Sequence, residues 1–218
     1  MQCVLCDRRK ARRHCPAKEN SICAQCCGEK RVLDIPCPES CEYLQMGRKY
    51  EEEEYGRLLR IANADHPERN NRVFQSYYEV AAHLEYTLAK ERLSFRHLTD
   101  RDAIQALDLL FETYKTEEIG ILFEKTSDNL RIDALRRELR TVIESYRNPK
   151  GKGQQGVVDP TEVRLPLHAA MDCLGFLRDM AKGYVEERLS PAGFLNLLAR
   201  IIPRESESRA AGDSIIIP

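Results

Sequence analysis

Eight of the nine cysteines in this 218-residue chain fall between residues 3 and 41. Their order is Cys3-x2-Cys6-x8-Cys15-x7-Cys23-x2-Cys26-Cys27-x9-Cys37-x3-Cys41. A structural zinc ion takes four tetrahedral thiolate or imidazole ligands, and a C-x2-C turn curls two sulfurs around one ion. Cys3/Cys6 and Cys23/Cys26 are two such pairs, and Cys37/Cys41 is a looser third. Eight sulfurs therefore supply two closed sites, and two zinc ions are expected. The chain opens MQCVLCDRRK, with no apolar stretch before the first cysteine, so a secretory leader is not expected. That favours a reducing, cytoplasmic setting, where clustered cysteines mean metal more often than disulfides.

Cys26 and Cys27 are adjacent, and adjacent residues of an extended segment point to opposite sides. They are then suited to different ions. The simplest scheme is interleaved: Cys3, Cys6, Cys23 and Cys26 hold the first zinc, and Cys15, Cys27, Cys37 and Cys41 hold the second. His14 competes for one place at the second site. A sequential scheme, with Cys3, Cys6, Cys15 and His14 as the first site, is the alternative.

The order of first pair, lone cysteine, second pair and final pair resembles the cross-brace zinc fingers of the B-box and HIT types. The string "CVLC…RRHCPAKENSICAQCCGEKRVLDIPCPESCEYL" also resembles an uncharacterised bacterial family that places such a segment ahead of a helical body. The likeness covers residues 3–44. It implies a structural double-zinc fold and no particular activity. The chain departs from the B-box pattern at Lys18, where a ligand would follow Cys15, so Cys27 or His14 must complete the set.

A catalytic zinc keeps one coordination position open and has a general base nearby. Here the thiolate supply matches two closed sites. Neither H-E-x-x-H nor the H-x-E with P-C-x-x-C of zinc deaminases occurs. The basic loop "RRKARR" offers Arg8, Arg9, Lys10, Arg12 and Arg13 to a phosphate backbone or an acidic protein. It has a simpler use as well. Residues 1–50 carry ten Lys/Arg against six Asp/Glu, and this +4 offsets the −4 of eight thiolates with two dications. No aromatic residue interleaves the cations, so base stacking is not supported.

The elements that position these groups are helical. Beyond residue 50 the balance reverses to 24 basic against 29 acidic residues, which marks a second module. Ser40 is placed to cap a helix through "EYLQMGRKYEEEEYGRLLRIA", with Tyr43, Met46, Tyr50, Leu58 and Ile61 inward and the Glu51–Glu54 run as a solvated face. "HPERNN" breaks the chain. The next helix repeats Phe74, Tyr77, Ala81, Leu84 and Leu88 at helical spacing. Thr99, with Asp102 completing a capping box, starts a helix that buries Ile104, Leu107, Phe111 and Tyr114 and ends at Gly120. "IGILFEKT" reads as a connector that could be extended. Ser127 or Asp128 starts a helix with Leu135, Leu139, Val142 and Tyr146 inward.

Residues 148–160 form the main internal loop, and they lack the G-K-[ST] of a phosphate-binding loop. Asp159 then caps a helix kinked or restarted at Pro166, carrying Met171, Leu174 and Leu177 and ending at Gly183. "SPAGFLNLLARIIP" is the last helix. Cys173 reads as a small core residue. Glu79 and His83 share a helix face, but no second E-x-x-H helix completes a di-metal site.

The resulting expectation is a mainly α chain. A cysteine-rich double-zinc module (1–44) precedes an irregular bundle of about six helices (45–203), and a tail (204–218) ends in Ile215, Ile216 and Ile217. No run of apolar residues is long enough for a membrane span. No catalytic residue or organic cofactor is assigned. The reading is a non-enzymatic zinc-binding adaptor with a protein partner. Nucleic acid at residues 8–13 is the alternative, and self-association through a helical face is compatible with either.

Overall fold

In the computed structural model, which describes residues 1–149, 164–187 and 191–202, the chain is mainly helical. The described residues form eight helices and one small sheet. The elements are β1 (Arg13–Cys15), β2 (Asn20–Ile22), α1 (Ala24–Lys30), α2 (Glu42–Asp65), α3 (Pro67–Ser76) and α4 (Tyr78–Ser94). α5 (Asp100–Glu118), α6 (Leu130–Arg147), α7 (Leu167–Glu187) and α8 (Gly193–Ile201) follow. Residues 1–54 and 196–202 belong to one compact unit, and 55–195 to a second; the boundaries fall inside α2 and α8.

The first unit is built on β1 and β2, antiparallel with Arg13 opposite Ile22 and Cys15 opposite Asn20. The core cluster beside this sheet is mostly sulfur. Cys3, Cys15, Cys23, Cys26 and Cys27 are buried with Ile22 and Ile35. So little aliphatic area in that cluster cannot by itself offset the chain entropy of ordering the cysteine-bearing segment around it.

In the second unit α7 is the central helix. Ala169, Ala170, Cys173, Leu174, Phe176, Leu177, Met180 and Ala181 are all buried and form one broad apolar face, while His168, Asp172, Arg178, Asp179 and Lys182 occupy the other. It packs on α3, α4 and α5, while α6 packs on α4 and α5. The capping box of α5 forms as the sequence predicts. Thr99 Oγ1 accepts from Asp102 N at 3.2 Å, and Asp102 accepts from Thr99 N at 2.9 Å. Gly120 ends that helix region at φ 81°, a conformation glycine adopts without strain. Asp100, fully buried, accepts from Phe194 N and Leu195 N at 3.0 Å and so caps α8 from a distant part of the chain.

Several expected details differ. The single helix through Phe74 and Leu88 is two, α3 and α4, interrupted at Tyr77 (φ −131°, ψ 19°) without a Gly or Pro to announce it. Phe74 is partly exposed and meets Phe176 edge-on. α6 is capped by Asn129, whose side chain accepts from Arg131 N, and not by Ser127 or Asp128. Of the two alternatives at Pro166, a kink or a restart, the structure has a helix start: α7 begins at Leu167, and Pro166 O accepts from Ala169 N and Ala170 N. Gly183 lies within α7 and does not end it. "IGILFEKT" forms no strand. The expected helix start at Asp159, the loop beyond residue 149 and the Ile215–Ile217 tail lie outside the described residues.

On α2 the inward stripe is Leu44, Gly47, Glu51, Leu58 and Ala62, whereas Met46 and Tyr50 are exposed. The Glu51–Glu54 run is therefore not wholly solvated. Glu51 is buried and accepts from Arg31 Nη2 at 2.8 Å and Arg200 Nη1 at 3.4 Å.

A second buried acid gives a pH-dependent prediction. Glu85 accepts a 2.6 Å hydrogen bond from Tyr55, and burial pushes its carboxyl up to about 7. The folded state then holds this proton more tightly than the unfolded chain. The contribution to stability is fully present below the ordinary carboxylate range and is lost as pH rises through 7. Across that window the loss is on the order of 3 kcal/mol. Glu85→Gln should remove it: denaturant titrations at pH 5 and pH 8 should diverge less in the variant than in the parent. Equal divergence in both would show that Glu85 ionises without cost.

Candidate metal centre

Cys3, Cys6, Cys23 and Cys26 bring their sulfurs within 4.8 Å of one another, with Cys6 and Cys23 at 3.9 Å. No disulfide joins them. Two local turns make the cluster. In the first, Cys6 N and Asp7 N both donate to Cys3 O, at 3.3 and 2.8 Å, and Asp7 takes a left-handed φ of 48° to close the turn. In the second, Cys23 is the N-cap of α1, and its sulfur accepts from Cys26 N at 3.3 Å. Four sulfurs around an ion at about 2.3 Å would be separated by roughly 3.8 Å. The donor set is soft, four-fold and closed, and it could hold a metal ion.

The charge around it is arranged to match. Arg9 Nη1 lies 3.7 Å from the Cys23 sulfur and 4.0 Å from those of Cys6 and Cys26. The Cys26 N–H, followed by Arg9, pulls the Cys23 thiol down to about 6. Burial and the neighbouring sulfurs push Cys26 up to about 12. Without an ion the cluster thus begins ionising at Cys23 and resists full ionisation at Cys26. A bound dication removes that conflict, because metal binding drives its ligands to the thiolate form.

Cys27 stands apart from this group, as the interleaved scheme expects, but the reason differs. Cys26 and Cys27 lie on α1, where successive side chains diverge by about 100°, not on an extended segment. Cys15, Cys27 and Cys41 are buried. The field of Cys41, Cys15 and Cys27 adds to burial in raising the Cys37 thiol, so these four are electrostatic neighbours. Among the described residues, however, only the first four cysteines meet the 4.8 Å spacing. His14 is exposed on β1, next to buried Cys15.

The basic loop divides by role. Arg9 faces the sulfurs and Arg13 lies over the Tyr43 ring at 4.7 Å, while Arg8, Lys10 and Arg12 are exposed. His66, His97 and His168 are exposed, and Cys173 is fully buried. Among the described residues no other group of His, Cys, Asp or Glu converges as a metal site.

The buried cluster of Arg31, Glu51 and Arg200 is what sequence reasoning missed. Arg31 also donates to Tyr43 O at 3.1 Å, and Arg200 Nη2 to Gly28 O and Glu29 O at 3.0 and 3.1 Å. It therefore grips the C-terminal end of α1, the helix that carries Cys26. One sequence signal existed. Gly47 and Glu51 are spaced i,i+4 on α2, and a Cβ at Gly47 would lie 1.9 Å from the Arg31 guanidinium.

Comparison of the chain with protein-family models, with curated proteins and with solved structures returns no match.

Proposed function

We propose that this protein is a zinc-binding, non-enzymatic interaction protein whose cysteine-rich head is held by two structural zinc ions, in the manner of B-box and HIT-type cross-brace fingers. The observation that carries the reading is the closed set of four sulfurs. Thiolates fill every tetrahedral position, Arg9 covers one side, and among the described residues no carboxylate or imidazole belongs to the group. The second zinc would take Cys15, Cys27, Cys37 and Cys41, a reading supported by the mutual influence of these residues and their burial. A reducing, cytoplasmic compartment accords with nine free thiols. No helix among the described residues is long and apolar enough to cross a membrane.

A protein partner is supported by the connection between α5 and α6. Ile119, Ile121, Leu122, Phe123 and Leu130 are each more than half exposed. The segment is tied down: Thr116 Oγ1 donates to Phe123 O at 3.2 Å, Lys125 N donates to Thr113 Oγ1 at 2.9 Å, and Glu124 pairs with buried Arg136 at 2.6 Å. A fixed apolar display of this size marks an interaction surface.

Metal analysis of the purified chain tests the foundation. About two zinc ions per chain are expected from the ligand count. One ion would remove the second site, and none would overturn the reading. Pull-down from the native host should recover a partner that is lost with Leu122→Ser/Phe123→Ser.

The exposure of Arg8, Lys10 and Arg12 favours a second reading, binding of a nucleic-acid backbone. Reversing these three charges should then abolish a steep salt dependence of binding; unchanged affinity would eliminate it.

A further inference from the structure

Beside the junction of α3 and α4 lies a cavity of about 440 Å³, within the roughly 300–1,000 Å³ range of small-molecule sites. Its lining includes Tyr77, Tyr78, Glu79, Val80, Tyr146 and Arg164. In an uninterrupted helix Tyr77, Tyr78 and Glu79 would fan through about 200°. The interruption at Tyr77 lets all three line one opening. That gives the unannounced break a use. Tyr146, on the last turn of α6, is fixed in place. Its hydroxyl is 3.4 Å from His83 Nδ1, the two rings meet edge-on, and its carbonyl accepts from Leu165 N at 3.0 Å.

Three phenol rings and one carboxylate are a particular combination. Aromatic faces attract a cation through their quadrupole, most strongly when it is large and weakly hydrated. Glu79 has no ion-pair partner among the described residues, and its negative charge adds to burial in raising the Tyr146 hydroxyl. Tyr78 is 61 % exposed, an aromatic surface left open beside the acid.

We propose that this cavity binds a quaternary or alkylated ammonium group, held among Tyr77, Tyr78 and Tyr146 with Glu79 as its counter-charge. The site is independent of the metal centre. Choline is the probe, and 3,3-dimethylbutan-1-ol, its uncharged isostere, is the control. The chain contains no tryptophan, so tyrosine emission reports binding directly, with calorimetry as the second readout. Choline should bind saturably and about tenfold or more tighter than the neutral isostere. Glu79→Gln and Tyr78→Ala, both at exposed positions, should each weaken choline severalfold with unchanged thermal unfolding, and Arg164→Gln should strengthen it. Equal affinity for the isostere, indifference to Glu79→Gln, or saturable binding of inorganic phosphate lost with Arg164→Gln would each overturn the assignment. So would the absence of saturable choline binding in the parent chain.

Discussion

Replacing Cys26 with serine is expected to release metal from the N-terminal cluster and to unfold the segment that carries it. The magnitude follows from how little else holds that segment. Cys3, Cys15, Cys23, Cys26 and Cys27 make up most of its small core. Structural zinc contributes roughly 10–16 kcal/mol to modules of this kind. That is as large as the total stability of an ordinary domain, about 5–15 kcal/mol. A serine hydroxyl is a poor ligand for a soft site, and three sulfurs leave the tetrahedron open.

Metal content after dialysis should fall by one ion per chain. Hydrogen exchange in the Cys3–Asp7 turn and around the Cys23 cap should rise toward the rate of unstructured backbone, while α4 to α7 stay protected. Cys173→Ser is the matched control. It removes a fully buried thiol of the second unit, whose pKa burial pushes up to about 12, and should leave metal content unchanged. If Cys26→Ser retains both its metal and its protection, the four sulfurs are a packing cluster and the head folds on apolar contacts alone.

The parts of this molecule that obey one rule at a time were legible in the sequence. Cys3 pairs with Cys6 and Cys23 with Cys26 because a C-x2-C turn brings its own two sulfurs together whatever surrounds it. Thr99 and Asp102 cap α5 because both halves of the box lie within one turn. What escaped depends on long-range partners. The burial of Glu51 is set by Arg31 and Arg200, from distant stretches of chain, and no local pattern assigns a glutamate to an inward stripe. That one polar residue shifted the expected inward face of α2 toward Met46 and Tyr50. Likewise, neither Gly nor Pro marks the junction at Tyr77. Cys27 lies outside the first group for a reason that the sequence hid, because α1 begins one residue after Cys23 and its seven residues are too few to show a period.

Glu51→Ala should be the most damaging substitution outside the cysteines. Glu51 is 3 % exposed, and both Arg31 and Arg200 direct a guanidinium at the same oxygen. Removing one partner of a buried ion pair costs about 3–5 kcal/mol, because the remaining charge stays desolvated. The consequence should reach the metal. Arg31 N donates to Cys27 O at 3.0 Å, and Arg200 binds the carbonyls of Gly28 and Glu29, so the network fixes the end of the helix whose start holds Cys23 and Cys26. Glu51→Ala should therefore lower the denaturation midpoint and speed metal transfer to a competing chelator. Gly47→Ala should do the same more weakly, since its Cβ displaces Arg31 while leaving all three charges present.

The double variant Arg31→Met/Glu51→Leu separates charge from packing. A buried pair replaced by apolar groups of similar volume is often neutral. Arg200 would still need a counter-charge, so recovery should be partial, and adding Arg200→Met should complete it. If Glu51→Ala alone costs less than about 1 kcal/mol, the two arginines reach water without it, as surface pairs do. Three charges would then contribute nothing to the hold on α1, and the metal ligands would have to be kept in place by their own turns.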